Sequence, residues 1–367
     1  MQKTHSFRIK FFFGSLKVTA FFVALSVSAL QHQAVLAVGS SMVSPPPQGE
    51  KIQRPADSAA DDKVEIPKPE GLVLGTSDGV QLKCTYFAPP KQKDEAKGVE
   101  SIGAMPFILL HGWEGDRREL LKYGRYLQSL GHAVIVPDLR GHGQSVSAEG
   151  FKKPLDYKKF RKQEVMSAQK DIERCKKFLV QKHNEGEVNI DLLSLVAVGD
   201  TSVLAVQWVL NDWYAFPSHN PRGVKQGQDV KSLMLVSPVR KLAGISMMNN
   251  IKHPLFTGVD GTGAMPMLVI WSSIEKTSKE SEDIVEILEK HRPDNSKIKD
   301  EAERLKASAL IKYNIKKNRF SGLEMIATPR VDKFWQAITT RLFENKVAAN
   351  ADKFPWITRE IDTGDDE

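Results

Sequence analysis

The chain has 367 residues, of which 41% are hydrophobic, with 52 lysines and arginines against 45 acidic residues. That length supports one large core or two small ones, and the nearly even charge balance excludes a disordered or histone-like protein. Two cysteines are too few for the disulfide framework of a small secreted domain.

Residues 1–37 are predicted to be a secretory signal peptide. They contain four cations and no acidic residue, which leaves a net charge of only +3 for the rest of the chain. The cations precede a 13-residue apolar stretch, Val18–Leu30, and Ala37 ends a plausible cleavage site. Because a bilayer span needs ~20 apolar residues, we expect export to the periplasm or the exterior, without a transmembrane helix after signal removal. The alternative is an uncleaved signal that anchors the protein in the membrane.

Three further regions follow from composition. Residues 38–69 are rich in proline, serine and charge and are predicted to be a linker. Residues 70–348 alternate apolar strands with amphipathic helices, with a charged helical insertion at about 281–313. Residues 349–367 form an acidic C-terminal tail, which we expect to be mobile.

The elements of this domain begin with a hairpin, closed by the turn Thr76-Ser-Asp-Gly79. Strands and helices then alternate, which predicts a mostly parallel, twisted sheet with helices on both faces. In chain order the predicted elements are strand 107–110, helix 119–130, strand 132–136, a helix ending near 183, strand 192–198, helix 203–213, strands 232–236, 267–271 and 322–326, and helix 331–345. Cys84 and Cys175 fall on apolar faces as small buried hydrophobes, and whether they form a disulfide stays open.

Two motifs identify a family resemblance. The first is Phe107-Ile-Leu-Leu-His-Gly-Trp113, and the second is Val134-Ile-Val-Pro-Asp-Leu-Arg-Gly-His-Gly143. Together they resemble the alpha/beta-hydrolase superfamily, in the branch of lysophospholipase-like and aminopeptidase-like serine hydrolases. The resemblance implies an alpha/beta-hydrolase fold and a serine-hydrolase site. In that site Trp113 and Ser202 would supply the backbone N–H donors of an oxyanion hole.

The nucleophile is the first place where the chain departs from the family. Family members carry Gly-x-Ser-x-Gly after the strand at 192–198, and this chain reads Gly199-Asp-Thr-Ser-Val203. Aligning the first glycine places Thr201 at the nucleophile position, where a β-branched residue would bear backbone strain. Two slipped registers, with Ser202 or with Asp200 as nucleophile, fit the small-residue requirement less well.

The acid and the base complete the comparison. Glu275 follows the strand at 267–271, where the family places its carboxylate, although a surface glutamate would look the same. No histidine follows the last predicted strand, and His291 is the only one after Glu275. His291 is either a relocated base or, as we favour, the solvated end of a helix. Because triad members act as a unit, the sequence predicts a degenerate machinery.

A cluster of cations near the second motif suggests a binding surface. Residues 151–162 contain three aromatic side chains, one acid and six cations, namely Lys152, Lys153, Lys158, Lys159, Arg161 and Lys162. They could hold an anionic polymer, a lipid headgroup or a phosphorylated ligand, or they could form an ordinary solvated loop. Neither a metal site nor a cofactor motif is present in the sequence, and nucleic acid is an unlikely partner for a mature charge of +3.

These features predict an exported alpha/beta-hydrolase-fold protein that binds a small-molecule or anionic ligand, or a partner, without catalysis. The alternative is an active esterase or peptidase with an atypical nucleophile. A structural component of the cell envelope, tethered by the linker, is a third interpretation that no specific residue supports. The sequence leaves the oligomeric state open.

Overall fold

A computed structural model describes most of the region after the predicted linker. The described residues are 66–90, 104–150, 152–215, 225–258, 264–292, 294–295, 297–300, 309–316, 324, 326, 342–343, 347 and 357–359. The chain divides into two units, 1–60 and 61–367, and all described residues belong to the second. The predicted signal peptide and all but the last four residues of the predicted linker therefore lie outside the described residues.

The centre of the second unit is a sheet of eight described strands. Their order across the sheet is β1-β2-β4-β3-β5-β6-β9-β10. β2 is antiparallel to both of its neighbours, β1 and β4, and the remaining neighbours pair in parallel. The strands are β1 (Glu70–Gly75), β2 (Gln81–Phe87), β3 (Pro106–Leu110), β4 (Ala133–Pro137), β5 (Leu193–Val198), β6 (Val230–Val236), β9 (Met267–Ser272) and β10 (Leu310–Ile315), and a separate short hairpin contains β7 (Lys241–Leu242) and β8 (Ile245–Ser246).

Helices cover both faces of this sheet. They are α1 (Leu121–Ser129), α2 (Lys162–Ser167), α3 (Gln169–Asn184), α4 (Thr201–Trp213), α5 (Pro254–Thr257) and α6 (Ser278–His291). Alternate side chains of β3 enter two separate cores: Ile108 packs in the core that contains α3, α4 and α6, and Phe107 packs in the core that contains α1. Burial on both faces explains why the central strands are apolar along their whole length.

The predicted fold class is confirmed. An antiparallel hairpin precedes a parallel sheet whose strands are joined by helices on both faces, and this is the alpha/beta-hydrolase fold. Among the described residues, no helix is long and apolar enough to cross a membrane.

The last strand of the sheet differs from the prediction. The strand predicted at 322–326 is wrong, because its two described residues, Glu324 and Ile326, are helical. β10 instead lies at 310–315, overlapping the end of the segment predicted to be a charged helical insertion, and pairs with β9. Among the described strands β10 lies at the edge of the sheet, where Lys312 is exposed and its other side chains, including Asn314, are half-exposed. Its polar composition concealed it, since edge strands tolerate charge that central strands exclude.

The C-terminal regions are described only in part. The helix predicted at 331–345 lies outside the described residues except for Leu342 and Phe343, which are buried against Phe107 and its neighbours. Within the predicted acidic tail, Arg359 is only 5% exposed and pairs with Asp191 (2.9 Å) and Asp229 (2.6 Å). The expectation of a mobile tail is therefore wrong at residue 359, because a buried cation needs its carboxylate partners.

Candidate functional site

The candidate site lies at the carboxyl ends of the parallel strands. In open α/β sheets, ligands bind at this edge, in the crevice between the loops that follow neighbouring strands. Here the relevant loops follow β3, β4, β5, β6 and β9. They contain the predicted oxyanion turn, the two possible hydroxyl nucleophiles and the predicted acid.

The turn after β3 is held by a neutral histidine. His111 is fully buried, and its Nε2 atom accepts a hydrogen bond from the Leu139 N–H at 3.1 Å. Burial lowers the pKa of His111 to about 4. At neutral pH this imidazole is therefore uncharged and fixes the turn after β3 to the turn after β4.

The predicted oxyanion donor lies next to the end of β5. A Cβ atom at Gly112 would lie 3.8 Å from the Val198 carbonyl oxygen, so the turn that contains Trp113 passes close to the last residue of β5. The Trp113 carbonyl oxygen contacts the His142 Nε2 atom, and the two rings meet edge to face with centroids 4.7 Å apart. The structure therefore places the turn that contains Trp113 beside the end of β5, and the role of its N–H as an oxyanion donor stays a prediction.

The residues of the second motif serve the fold. The buried Asp138 carboxylate accepts hydrogen bonds from the N–H groups of Arg117 and Gln144, both at 2.8 Å, and forms an ion pair with the Arg117 guanidinium. Arg140 donates to Asp78 and to Asp171, with both contacts at 2.7 Å. Arg140 thus connects the turn after β4 to the β1–β2 hairpin and to α3.

The strand-to-helix elbow after β5 differs from the predicted register. β5 ends at Val198, Gly199 has a φ of +59°, and α4 starts at Thr201. The strained residue of a nucleophile elbow is the one that follows the strand directly. That position belongs to Gly199, and a Cβ atom there would have no neighbour within 4 Å. The placement of Thr201 at the strained position is therefore wrong, since Thr201 is an unstrained helical residue.

The two hydroxyl groups near the elbow are already engaged. Thr201 is fully buried, and its Oγ1 atom donates a hydrogen bond to the Val198 carbonyl oxygen at 2.9 Å. Ser202 is also fully buried, and its Oγ atom accepts a 3.4 Å hydrogen bond from the Val239 N–H. The Ser202 N–H, predicted to be an oxyanion donor, instead donates to the Gly199 carbonyl oxygen at 3.1 Å. Both side chains stabilise the start of α4.

A half-buried carboxylate follows Gly199. Burial raises the pKa of Asp200, and the nearby carboxylates of Glu114 and Glu280 raise it further. Since Asp200 is the first residue after the elbow, this side of the site is negatively charged, unlike the exposed cations of residues 152–162.

The predicted acid is bound to a serine. Glu275 follows β9, and its Oε1 atom accepts a 2.7 Å hydrogen bond from the Ser237 hydroxyl, while its Oε2 atom accepts a 3.2 Å bond from the Ser272 N–H. Ser237 follows β6 and has a φ of +51°. In a catalytic triad the acid orients a histidine. Here, among the described residues, the Glu275 carboxylate accepts hydrogen bonds from Ser237 and Ser272.

His291 lies at the end of α6 that is far from Glu275. Ser278, the first residue of α6, donates its N–H to the Glu275 carbonyl oxygen at 3.0 Å. His291 is the last residue of α6, which places it ~20 Å further along the helix axis at 1.5 Å per residue. This distance favours the interpretation of His291 as a helix end.

The cations at 152–162 form a fixed, exposed surface. All six, namely Lys152, Lys153, Lys158, Lys159, Arg161 and Lys162, are exposed. The aromatic side chains between them turn inward: the Tyr157 ring stacks on His142 with centroids 4.0 Å apart, and Phe160 packs against Gly141. Lys159 also pairs with Asp156 at 3.1 Å. We call these six cations the basic patch.

Sequence reasoning missed Gly199 and Ser237. A signal for Gly199 was present, because a glycine that directly follows an apolar strand and precedes a helix by one residue marks a positive φ. Ser237 carried no comparable signal, since its role depends on the distance between two loops. Among the described residues, no group of three or more histidine, cysteine or acidic side chains could hold a metal ion.

Comparisons with known proteins extend only to the fold. No protein-family model matches the sequence, and a search of curated proteins found no match. A thermostable carboxylesterase from a metagenomic library is similar, with a TM-score of 0.47, 14% identity and coverage of 78% of this chain and 90% of that chain. An acylaminoacyl peptidase from Pyrococcus horikoshii gives a TM-score of 0.48 and 13% identity, over 77% of this chain and 42% of that one.

A dienelactone hydrolase from Anabaena variabilis gives a TM-score of 0.45 and 12% identity, over 77% of this chain and all of that one. At these identities and TM-scores, the three likenesses carry no argument about the activity of this chain. What this chain can do depends on its own residues.

Proposed function

We propose that this protein is a catalytically inactive alpha/beta-hydrolase-fold protein that binds a ligand or partner. The observation that carries the proposal is Gly199. It follows β5 directly and has the positive φ that an elbow requires of its nucleophile. Glycine has no side chain to attack a carbonyl carbon.

The neighbouring groups do not replace the missing nucleophile. The Thr201 hydroxyl donates to a backbone carbonyl at the elbow, and the Ser202 hydroxyl accepts from a backbone N–H. A hydroxyl becomes nucleophilic only when a base takes its proton. No histidine follows His291 in the sequence, and His291 ends α6 far from Glu275.

Hydrolysis of short-chain aryl esters tests this proposal against the alternative of an active esterase. We expect the mature protein to release no more phenol than the heat-denatured protein, and the variants Thr201→Ala and Ser202→Ala to behave in the same way. An active enzyme with an atypical nucleophile predicts measurable turnover in the wild type. Its loss in either variant would identify the nucleophile and reject the proposal.

The ligand that we propose is anionic and contacts the basic patch. The six side chains project from an ordered segment, because Tyr157 and Phe160 fix it against His142 and Gly141. A fixed set of like charges gains more from an anionic surface than a flexible loop does, since less conformational entropy is lost on binding. Among the described residues of this segment, both aromatic rings pack inward and leave no stacking platform for nucleic acid bases.

Binding to lipid vesicles tests the role of the patch. We expect the protein to sediment with vesicles of phosphatidylglycerol and not with phosphatidylcholine, and to be released by salt. Replacing Lys152, Lys153, Lys158 and Lys159 with glutamine should abolish sedimentation. The matched control replaces four exposed lysines elsewhere, Lys122, Lys241, Lys252 and Lys290. Equal binding by both variants would remove the basic patch from the proposal, and binding to heparin alone would point to an anionic polymer.

We also propose that the protein is exported by its N-terminal segment. Support comes from the four cations before the apolar stretch, and from the small residue Ala37. N-terminal sequencing of protein isolated from its source cells should begin at Val38, and a sequence that begins at Met1 or Gln2 would favour an uncleaved anchor.

A further inference from the structure

We propose that Cys84 and Cys175 form a disulfide bond in the mature protein. Both carry free thiols in this structure, and both are buried, Cys84 in β2 and Cys175 in α3. Both belong to the same buried core cluster, although they are far apart in the sequence. This inference goes beyond the proposed ligand binding and rests on the proposed export, because disulfides persist in oxidising compartments.

Contacts on either side of the two cysteines fix their approach. On one side, the rings of Tyr86 and Phe178 meet edge to face with centroids 5.0 Å apart. Tyr86 is two residues after Cys84 on the same face of β2, and Phe178 is one helical turn after Cys175. β2 and α3 are therefore in direct contact next to the pair.

On the other side, the contact passes through the turn after β4. Cys84 pairs with Pro137 across the sheet, and Arg140, three residues later, donates to Asp171 at 2.7 Å. Asp171 is one helical turn before Cys175, so α3 crosses β2 with Cys175 held between two anchored residues. These flanking contacts and the shared core cluster place Cys84 and Cys175 on the packed faces of β2 and α3.

Because both cysteines are buried in the folded protein, we expect their oxidation to take place during folding. The neighbouring Cys84 thiol and burial raise the pKa of Cys175, so the folded protein contains very little of the reactive thiolate. An oxidant must therefore react while the chain is still partly open. Once formed, the bond would be inaccessible to reductants, as in structural disulfides of exported proteins.

The reaction needs a disulfide oxidant, either oxidised glutathione or a protein dithiol oxidase. A thiolate of one cysteine attacks the oxidant's disulfide and releases one of its sulfurs as a thiol. The second cysteine then attacks the mixed disulfide, which forms the intramolecular bond and releases the second sulfur. The two cysteines lose two protons and two electrons, and the oxidant's disulfide is reduced to two thiols.

Mass spectrometry after oxidative refolding tests the inference without any variant. The full chain, unfolded and reduced, is refolded in a buffer of reduced and oxidised glutathione, unfolded again and treated with iodoacetamide. We expect a mass about 2 Da below that of the reduced chain, with no alkylation, because both thiols are consumed. Two alkylated cysteines after refolding would overturn the inference.

Thermal unfolding provides the second measurement. Because the bond closes a loop of about 90 residues, protein unfolded and refolded with reductant throughout should have a Tm roughly 5 to 10 °C below that of protein refolded with oxidised glutathione. The double variant Cys84→Ala/Cys175→Ala has no bond to lose, so its Tm should not respond to reductant. A wild-type Tm that is equally insensitive would contradict a stabilising cross-link.

Discussion

Two regions at the same edge of the sheet differ in what their side chains do. The turns after β3 and β4 keep the residues of the family motifs, and His111, Asp138, Arg140 and His142 all bind neighbouring loops. The turns after β5 and β9 contain the elbow and the predicted acid. At the elbow the strained residue is Gly199, and the predicted acid is bound to Ser237.

This difference shows that a family motif can indicate either the fold of a protein or its chemistry. Motif residues after β3 and β4 stabilise the sheet edge whether or not the protein is an enzyme, so they identify a fold. Only the residues at the elbow and at the triad positions perform chemistry. A chain can therefore retain every structural contact of the first region while losing the reactive groups of the second.

We expect the largest difference in stability between the two regions when a carboxylate in each is replaced by an amide. Asp138→Asn replaces the buried carboxylate that pairs with the Arg117 guanidinium by an uncharged amide. We expect this substitution to lower the free energy of unfolding by about 3 kcal/mol. Glu275→Gln keeps an oxygen that can accept from the Ser237 hydroxyl. We expect a loss of only about 0.5 kcal/mol from this change.

Urea denaturation of both variants measures the contrast. A loss at Glu275 that equals the loss at Asp138 would mean that the acid position is as essential to the fold as the motif. The contrast between the two regions would then fail.

We expect a smaller difference in stability between alanine variants of two glycines that have a positive φ. Gly141 (φ +75°) belongs to the structural region, and an added Cβ atom would lie 2.7 Å from the Tyr157 nitrogen and 2.9 Å from Phe160 Cζ. Gly199 (φ +59°) has no neighbour within 4 Å of that position. We expect Gly141→Ala to cost about 2 to 3 kcal/mol, from backbone strain and steric overlap together, and Gly199→Ala about 1 kcal/mol, from strain alone.

Thermal or urea unfolding of the two alanine variants checks this order. Gly141→Ala should also weaken vesicle binding, because Tyr157 and Phe160 hold the basic patch in place. If Gly199→Ala were the more damaging change, the elbow would be a packed structural position, contrary to the open space that surrounds it.

Much of the fold could be predicted from the sequence because its signals are local. The apolar central strands, the amphipathic face of α3 and the hairpin before them each depend on periodicity within a short window. β10 could not be found in this way, since an edge strand with Lys312 and Asn314 lacks the apolar run. The helical state of Glu324 and Ile326 likewise depends on packing that no local pattern records.

The sequence predicted where the candidate site lies in the fold, but not which residue occupies the strained position of the elbow. The order of strands placed Trp113, the elbow and Glu275 at one edge of the sheet. The choice between Gly199 and Thr201 depended on which residue carries the positive φ, and the family pattern favoured the wrong one. The Ser237 contact with Glu275 and the place of Cys84 and Cys175 in one core cluster depend on tertiary distances, which sequence alone does not contain.

Covalent labelling by a fluorophosphonate tests the central claim most directly. The probe phosphonylates an activated serine or threonine, so intact mass spectrometry counts the reactive groups, with an active serine hydrolase as positive control. The absence of a nucleophile at Gly199 predicts an unmodified mass for the mature protein after prolonged exposure. Incorporation of one equivalent, located at Thr201 or Ser202 by peptide mapping, would contradict it and establish an active enzyme.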